Sequence, residues 1–286
     1  MESDRALYVD PFALTLLGLD DATSLMSLFE SGGTPELASV CAYFALRHRI
    51  AEDKMRVAIE AGVRDVVVLG AGLDSFALQH PDVVAQINFY EVDHPDTQAW
   101  KLRRLEELGL GTPDVRYVAV DFDRESIGER LHAHGLAPDT TRFFTWLGIS
   151  QYVSAHAADT TFELVASSGP FSEIVFDVIL PDDVLGTDDR RLNEHMSAVS
   201  ARRGEPWITR YAPDALTQTL LDRGFEGVTH CEPSELATTY YKELAPPLRP
   251  LGAWRVVHAV GPSEPSPQRR LDVGPARPIG SAARDR

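Results

Sequence analysis

The strongest constraint on the fold is an alternation of strand-like and helix-like segments between residues 65 and 179. Five apolar segments have the length and composition of strands, at residues 65–69, 87–93, 115–121, 141–150 and 172–179. The intervening segments place apolar residues at helical spacing. This alternation predicts an α/β fold with a parallel sheet covered by helices on both faces. Residues 225–230 and 253–260 are candidates for two further strands, which gives a mostly parallel sheet of seven.

Three other regions surround this predicted core. Residues 1–61 contain short apolar patches followed by one long helical pattern, and we expect them to form a helical cap. The polar residues 182–206 interrupt the alternation, which predicts a helical lid inserted over the carboxyl edge of the sheet. Residues 262–286 are rich in Pro, Ser, Gly and Arg, so we expect a disordered tail after a single domain at residues 1–261.

The composition excludes several classes of partner. A formal net charge of −16 disfavours binding to nucleic acid or to an anionic membrane. The two cysteines, Cys41 and Cys231, offer neither a disulfide framework nor the spacing of a zinc site, so no metal is expected. No apolar stretch reaches the roughly 18–20 residues of a membrane span. We expect a cytoplasmic protein that acts on a small molecule, and its oligomeric state stays open.

The glycine turn Gly70-Ala71-Gly72 directly follows the first strand, where an open parallel sheet binds nucleotide-type cofactors. A nicotinamide dinucleotide prefers a third glycine at the position of Ser75, and its pyrophosphate would be repelled by Asp74. S-adenosylmethionine has no phosphate, and its methionine end carries an ammonium and a sulfonium. The acid at Asp74 therefore favours S-adenosylmethionine over a dinucleotide.

Acidic residues also end the second and third predicted strands. Glu91 and Asp93 lie about 20 residues after the glycine turn, where a carboxylate accepts the ribose hydroxyls of an adenosine cofactor. Either of them suits this role, and Asp93 is nearer the carboxyl end. Asp121 is placed to accept the adenine amino group, and the ring of Phe122 to border the base. Taken alone, Glu91 or Asp93 fits a cap of the following helix about equally well. Acids at the ends of three consecutive strands, counting Asp74 after the first, favour a cofactor site.

Four sequence blocks carry a resemblance to a known family: VVVLGAGLDS, FYEVDHPDTQAWKLRRL, YVAVDFDRE and FFTWLGISQYV. They resemble the leucine carboxyl methyltransferase-like family of S-adenosylmethionine-dependent enzymes, most closely its bacterial branch linked to polyketide O-methylation. The resemblance spans roughly residues 5–260. It implies a Rossmann-like class I methyltransferase fold with S-adenosyl-L-methionine as the cofactor.

The resemblance also implies cofactor contacts at particular positions. The matching residues are Gly70, Ala71, Gly72 and Asp74 around the methionine moiety, Asp93 at the ribose, and Asp121 with Phe122 at the adenine. An arginine of the helix before the first strand pairs with the cofactor's carboxylate; Arg47 is the first candidate and Arg49 the second. Leu147 stands where the leucine carboxyl methyltransferases have a glutamate that touches the cofactor. This departure argues against carrying over their protein substrate.

The function implied is methyl transfer to a carboxyl or hydroxyl oxygen of a small secondary metabolite, such as a polyketide. A carboxylate acceptor needs no general base, whereas a phenol or enol gains from one. An alternative is a methyltransferase fold that catalyses cyclisation or rearrangement of a natural product without methyl transfer. A nicotinamide-dependent oxidoreductase and a non-catalytic binding module are further alternatives.

Catalytic residues on the acceptor side are less constrained by the sequence. Tyr152, just after the fourth strand, and His195, in the predicted lid, are the candidates for a catalytic role. Five other side chains are secondary candidates for a base, an aromatic pocket wall or a substrate contact: His94, His156, Trp146, Trp207 and Glu205.

Overall fold

The structure is a computed structural model, and it describes residues 7–19, 35–112, 114–240 and 251–264. Residues 1–6 and 20–34 of the expected helical cap lie outside the described residues. The expected tail also lies outside them from residue 265 onward.

Seven strands form one sheet in the described part of the chain. They are β1 (Asp65–Leu69), β2 (Asn88–Asp93), β3 (Val115–Ala119), β4 (Arg142–Trp146), β5 (Glu173–Ile179), β6 (Gly227–Cys231) and β7 (Trp254–Val260). The strand order is β3-β2-β1-β4-β5-β7-β6. The first five strands pair in parallel, and β7 runs antiparallel to both of its neighbours. The predicted mostly parallel seven-stranded sheet is confirmed.

Helices connect the strands. Those in the described residues are α1 (Ala13–Leu17), α2 (Pro35–Glu60), α3 (Phe76–Gln79), α4 (Pro81–Val84), α5 (Pro95–Glu107), α6 (Ile127–Ala133), α7 (Ala155–Ala166), α8 (Thr187–Arg202), α9 (Pro213–Asp222) and α10 (Pro233–Thr239). A 3₁₀ turn at Asp182–Val184 precedes α8. None of the described helices is long and apolar enough to cross a membrane.

The central strands explain why their sequences are continuous apolar runs. Every residue of β1 and of β4 is buried. A strand buried at consecutive positions is covered on both faces, because successive side chains point to opposite sides of the sheet. Helix α2 contributes to this cover and contacts β4 and β5. The core is therefore the sheet with helices on its two faces, as the sequence predicts.

The strand order reverses between β1 and β4, and this reversal positions the candidate site. A crevice opens at such a switch point, beyond the carboxyl ends of the strands. The fourth strand is shorter than its predicted segment, since β4 ends at Trp146. Gly148 follows with a φ of 74°, so the backbone leaves the sheet there. The loops after β1 and β4 consequently meet at the same edge.

Candidate active site

The glycine turn after β1 is shaped by its contacts with the end of β2 and with the loop after β4. Gly70 and Gly72 have positive φ angles of 64° and 50°, which favour glycine. The N–H groups of Gly70 and Ala71 donate to the carbonyl of Val92 at 2.8 and 3.1 Å, which ties the turn to the end of β2. A Cβ atom at Gly70 would overlap the side chain of Ile149 in the loop after β4. Glycine is therefore required at position 70 by both conformation and space.

The turn borders a cavity of about 290 Å³, which we call the first cavity. Its walls come from the N-terminal segment, helix α2, the ends of β1 and β4, and the glycine turn. The lining residues are Tyr8, Asp10, Arg47, His48, Val68, Leu69, Gly70, Ala71, Gly72, Leu73, Asp74, Ser75, Thr145 and Leu147. Six of the residues predicted to bind a cofactor are thus together in one cavity at the switch point: the three turn residues, Asp74, Arg47 and Leu147.

Asp93 lies at the end of β2, directly beside the turn. One of its carboxylate oxygens accepts the N–H of Gly72, and the other accepts the N–H of His94 at 2.6 Å. Burial raises the pKa of Asp93, while these two backbone donors oppose the shift. Each carboxylate oxygen can accept more than one hydrogen bond. Asp93 is therefore both a brace for the glycine turn and an acceptor available to a ligand at this edge.

Glu91, the alternative ribose acid, is placed differently. Its side chain is 2% exposed, and its Oε2 atom lies 2.5 Å from Nζ of Lys101, which is also buried. Lys101 additionally donates to the carbonyl of Asp74 at 2.7 Å. Burial raises the pKa of Glu91 to about 7, and the neighbouring lysine opposes that rise. The pair lies under the turn rather than in the first cavity, so Glu91 supports the loop that carries Asp74.

Asp74 lies just before the short helix α3, whose N-cap residue is Ser75. The Oδ1 atom of Asp74 accepts the N–H of Phe76 at 2.9 Å, and burial raises the pKa of Asp74. The neighbouring Ser75 donates its hydroxyl to Oδ2 of Asp10 at 2.7 Å, which anchors the N-terminal segment over the turn. Both side chains line the first cavity. The carboxylates of Asp74 and Asp10 make this cavity suitable for a cationic group.

Asp121 and Phe122 follow β3, on the far side of β2 from the turn. The carboxylate of Asp121 accepts the N–H of Asp123 at 3.1 Å and lies 3.5 Å from Nε of Arg124. Phe122 packs against the core and borders a groove of about 550 Å³ between α6 and α7. This pair therefore lies at the same carboxyl edge as Asp93 but outside the first cavity.

The two arginine candidates of helix α2 separate clearly. Arg47 lines the first cavity, with its Nη1 atom 3.0 Å from Oδ2 of Asp177 and its guanidinium 4.8 Å from the ring centre of Phe44. Arg49 is exposed and pairs with Asp53 at 2.9 Å on the same helix. Two positions along a helix correspond to a rotation of about 200°. Arg49 consequently faces away from the cavity, and only Arg47 is placed to contact a ligand there.

Arg47 also borders a second cavity of about 300 Å³. Its walls combine aromatic and aliphatic side chains with polar and charged ones, and they come from α2, β5, α8 and β7 and from the loops after β4 and α8. The lining residues are Phe44, Arg47, Gly148, Gln151, Tyr152, Asp177, Ile179, Met196, Val199, Ser200, Arg203, Glu205, Trp207 and Trp254. The rings of Phe44 and Trp254 stack, with centres 5.5 Å apart and an interplanar angle of 13°. The two cavities meet at Arg47 and at the Leu147-Gly148 loop.

The two catalytic candidates, Tyr152 and His195, differ in their position relative to this second cavity. Tyr152 lines it, but its hydroxyl is engaged: it accepts the indole N–H of Trp207 at 3.3 Å and lies 3.2 Å from Oγ of Ser200. Ser200 donates in turn to the carbonyl of Glu205 at 2.6 Å. His195 lies on the exposed face of α8 and lines neither cavity. The helical period explains this, because Met196, Val199 and Ser200 occupy the inward face.

The secondary candidates also separate by position. Trp207 and Glu205 line the second cavity. Trp146 does not, because it is fully buried in the core, where its ring makes an edge contact with Phe162 at 5.7 Å. His94 and His156 are exposed. Among the described residues, no three potential metal ligands of the His, Cys, Asp or Glu type come together.

Sequence reasoning missed several polar residues of the site, among them Tyr8, Asp10, His48 and Asp177. His48 lines the first cavity beside Arg47, and its ring stacks on Tyr8 at 5.8 Å. Burial, helped by the charge of Arg47, lowers the pKa of His48 to about 4, so it is neutral at pH 7. Asp177 is buried in β5 and binds Arg47. Its signal in the sequence is an acid in the apolar strand EIVFDVI.

Comparison with known proteins identifies the family of this chain. The family model for leucine carboxyl methyltransferase matches residues 1–166. The Bacillus subtilis protein named "Putative S-adenosyl-L-methionine-dependent methyltransferase YktD" is 30% identical over 203 residues, which cover 70% of this chain and 66% of the relative. A Mycobacterium marinum protein, also named "Putative S-adenosyl-L-methionine-dependent methyltransferase", is 33% identical over 214 residues, covering 70% of this chain and 65% of the relative. The matches thus span about two thirds of these relatives' lengths.

The fold has a match among solved structures. The crystal structure of a DUF574 family protein from Streptomyces avermitilis superimposes with a TM-score of 0.51 at 16% identity, covering 76% of this chain and 84% of that one. At this identity the likeness concerns the fold, and it fits a Rossmann-like methyltransferase sheet. The chain belongs to the leucine carboxyl methyltransferase family of class I methyltransferases, whose cofactor is S-adenosylmethionine.

Proposed function

We propose that this protein transfers the methyl group of S-adenosylmethionine to an oxygen atom of a small molecule with a flat apolar body. The observation that carries the proposal is the meeting of the two cavities at Arg47 and the Leu147-Gly148 loop. The first is polar and lies at the glycine turn, where the family binds its cofactor. The second is walled by aromatic rings, which suit a planar apolar acceptor.

The residues present fit the cofactor. Asp93 would accept the ribose hydroxyls, and Asp121 with Phe122 would receive the adenine. Arg47 has a buried Nε atom with no hydrogen-bond partner among the described residues, and a carboxylate would satisfy it. The carboxylate of Asp74, on the wall of the first cavity, is available to the cofactor's positive end.

The bound cofactor supplies an already activated methyl group, so the protein's task is to position the acceptor and exclude water. Correct orientation of two reactants is worth effective molarities of about 10⁵–10⁸ M. The second cavity performs this task with rigid rings, since Trp207 and Tyr152 are fixed to each other by a hydrogen bond. Excluding water also favours a reaction in which positive charge is dispersed.

The second cavity favours a carboxylate acceptor over a hydroxyl. Of the two acids among its described lining residues, Asp177 is engaged with Arg47, and Glu205 is exposed at the rim. None of those lining residues is a histidine, and the hydroxyl of Tyr152 is occupied. A phenol or enol would need a free general base, which accelerates proton-transfer reactions about 10²–10⁴-fold. A carboxylate is already ionised at pH 7, so we propose carboxyl methylation of an aromatic or polyketide-type acid.

The test is a methylation assay with the full chain, S-adenosylmethionine and matched pairs of planar aromatic acids and phenols. We expect mass gain of one methyl group on acids, with methyl esters as the products. Trp207→Leu should raise the KM for the acceptor and leave S-adenosylhomocysteine affinity unchanged. Ile208→Ala, at an exposed neighbouring position, is the control and should change neither.

Two results would contradict the proposal. Preferential methylation of phenols would show that a base operates in the second cavity and that carboxyl specificity is wrong. Binding of the cofactor with conversion of a substrate but no methyl gain would favour the alternative reaction, a cyclisation or rearrangement.

A further inference from the structure

The buried acid of β5 occupies a position where an uncompensated charge would be costly. Asp177 is 5% exposed in a strand whose last six residues are all buried. Its Oδ2 atom lies 3.0 Å from Nη1 of Arg47, and its Oδ1 atom accepts the N–H of Gly148 at 2.5 Å. A buried carboxylate persists when its oxygens are paired in this way. Both oxygens of Asp177 are thus used to hold two separate elements of the active site.

The two elements held by Asp177 are those at which the cavities meet. Arg47 comes from helix α2 and lines both cavities, and Gly148 comes from the loop after β4. A Cβ atom at Gly148 would lie 2.9 Å from Nη2 of Arg47, so the guanidinium rests directly on this glycine. Asp177, Gly148 and the ring of Phe44 together fix the guanidinium in one orientation.

That orientation leaves the buried Nε donor of the guanidinium unused. Nη1 is engaged with Asp177, whereas Nε is buried without a hydrogen-bond partner among the described residues. An unsatisfied buried donor costs free energy, which a ligand acceptor would recover. A carboxylate binds a guanidinium through two adjacent N–H groups. This geometry requires the plane of the guanidinium to be set before the ligand binds.

We propose that Asp177 is a positioning residue for the cofactor: it sets the plane of the Arg47 guanidinium so that its Nε side receives the cofactor's carboxylate. This inference rests on the proposed use of S-adenosylmethionine and adds a residue that acts only through Arg47. Through Gly148, the same carboxylate holds the loop at which the acceptor cavity begins.

The test compares S-adenosylmethionine with its decarboxylated analogue, which lacks only the carboxylate, by calorimetry. Asp177→Asn keeps an oxygen for Gly148 but turns an amide toward Arg47. We expect it to weaken S-adenosylmethionine binding about 10- to 100-fold and to change binding of the decarboxylated analogue less than about twofold. Asp182→Asn is the control, because Asp182 also pairs with an arginine, Arg210 at 3.2 Å, but lines neither cavity.

Further variants separate positioning from a general structural role. If Asp177 acts through Arg47, the double variant Arg47→Met/Asp177→Asn should bind S-adenosylmethionine no more weakly than Arg47→Met alone. Should Asp177→Asn fail to fold, Gly148→Ala tests the orientation of Arg47 instead: its methyl group displaces the flexible end of Arg47, and binding of the decarboxylated analogue measures the cost of alanine at a φ of 74°. It should likewise weaken S-adenosylmethionine selectively.

Equal weakening of both ligands, or additive losses in the double variant, would overturn the role of Asp177. Failure of the wild-type protein to bind S-adenosylmethionine would instead overturn the proposed function. The wild-type measurement therefore distinguishes the two failures.

Discussion

The two cavities that meet at Arg47 are built in different ways. The glycine-turn side of the first cavity consists of backbone turns and of residues at the ends of β1 and β4, within short reach of the sheet. The second cavity is assembled from side chains of α2, β5, α8 and β7, and from loops between them. If the first cavity holds the cofactor and the second the acceptor, as we propose, cofactor binding is a property of the sheet edge, whereas acceptor binding depends on side chains far apart in the chain.

The two cavities should therefore respond differently to substitutions. Residues such as Gly70 and Asp93 are fixed by backbone conformation and hydrogen bonds, so few substitutions are tolerated. The rings of Phe44 and Trp207 are only partly buried, so we expect their exchange for other apolar side chains to have smaller effects on the fold. We therefore expect variants of the first cavity to lose cofactor binding, and variants of the second to change acceptor preference.

The largest effect should come from Gly70→Ala. Its methyl group would overlap Ile149 at a φ of 64°, and such strain with overpacking costs about 2–4 kcal/mol. We expect S-adenosylhomocysteine affinity to fall at least about 100-fold in calorimetry. Gly62→Ala is the matched control: its φ is 107°, but no atom lies within 4 Å of the added Cβ. Equal affinity losses in both variants would mean that the turn does not shape the cavity.

The next largest effect should come from breaking the buried ion pair between Glu91 and Lys101 under the glycine turn. Lys101→Met leaves Glu91 buried without its partner, and breaking a buried pair in this way costs about 3–5 kcal/mol of unfolding free energy. Glu91→Gln/Lys101→Met removes both charges and should recover most of that loss in urea denaturation. If the single and double variants are equally unstable, the pair is not the support that we describe.

A smaller effect should appear in the pH dependence of stability. The pKa of His48 is about 4 in the folded protein and about 6.5 unfolded, so the unfolded chain binds more protons between these values. Stability contributed by neutral His48 is present above pH 6.5 and lost as the pH falls toward 4. Arg47 promotes this shift, whereas Asp177 and Asp10 oppose it.

We expect His48→Gln to reduce the loss of unfolding free energy between pH 7.5 and pH 4.5 by on the order of 2 kcal/mol relative to wild type. Chemical denaturation at both pH values measures the difference. Parallel profiles for the two proteins would show that His48 is not held neutral in the first cavity.

The smallest effects should come from Arg49→Ala and His195→Ala. Arg49 makes an exposed pair with Asp53, worth about 0.3–0.5 kcal/mol, and His195 is exposed on α8. Both variants should keep cofactor affinity and methylation rate within about twofold of wild type. A tenfold loss in either would place that side chain in the site and break the distinction between the exposed and inward faces of these helices.

The sequence predicted the sheet and its cofactor edge because these depend on local pattern. Buried strands such as β1 appear as continuous apolar runs, and the Gly70–Gly72 turn follows directly from one of them. The positions of Asp93 and Asp121 could be predicted because each residue lies at or just after the end of a predicted strand. Strand boundaries shifted by a few residues, as at β4, which ends at Trp146 within the predicted segment 141–150.

The acceptor side was less predictable because it depends on packing between distant segments. Periodicity did not show which face of α8 points inward, so His195 was a candidate although it is exposed. Trp146 and Trp207 are the same residue type, yet Trp146 is in the core and Trp207 lines the second cavity. The link between Asp177 and Arg47 joins residues 130 positions apart, and only the folded structure reveals it.

A crystal structure of the protein with S-adenosylhomocysteine tests the central account most directly. We predict that the ribose hydroxyls contact Asp93, that the adenine lies beside Asp121 and Phe122, and that the carboxylate binds the Nε side of Arg47. The sulfur atom should face the second cavity beside Leu147 and Gly148. A ligand whose carboxylate is held away from Arg47, or whose sulfur points away from the aromatic cavity, would contradict the account.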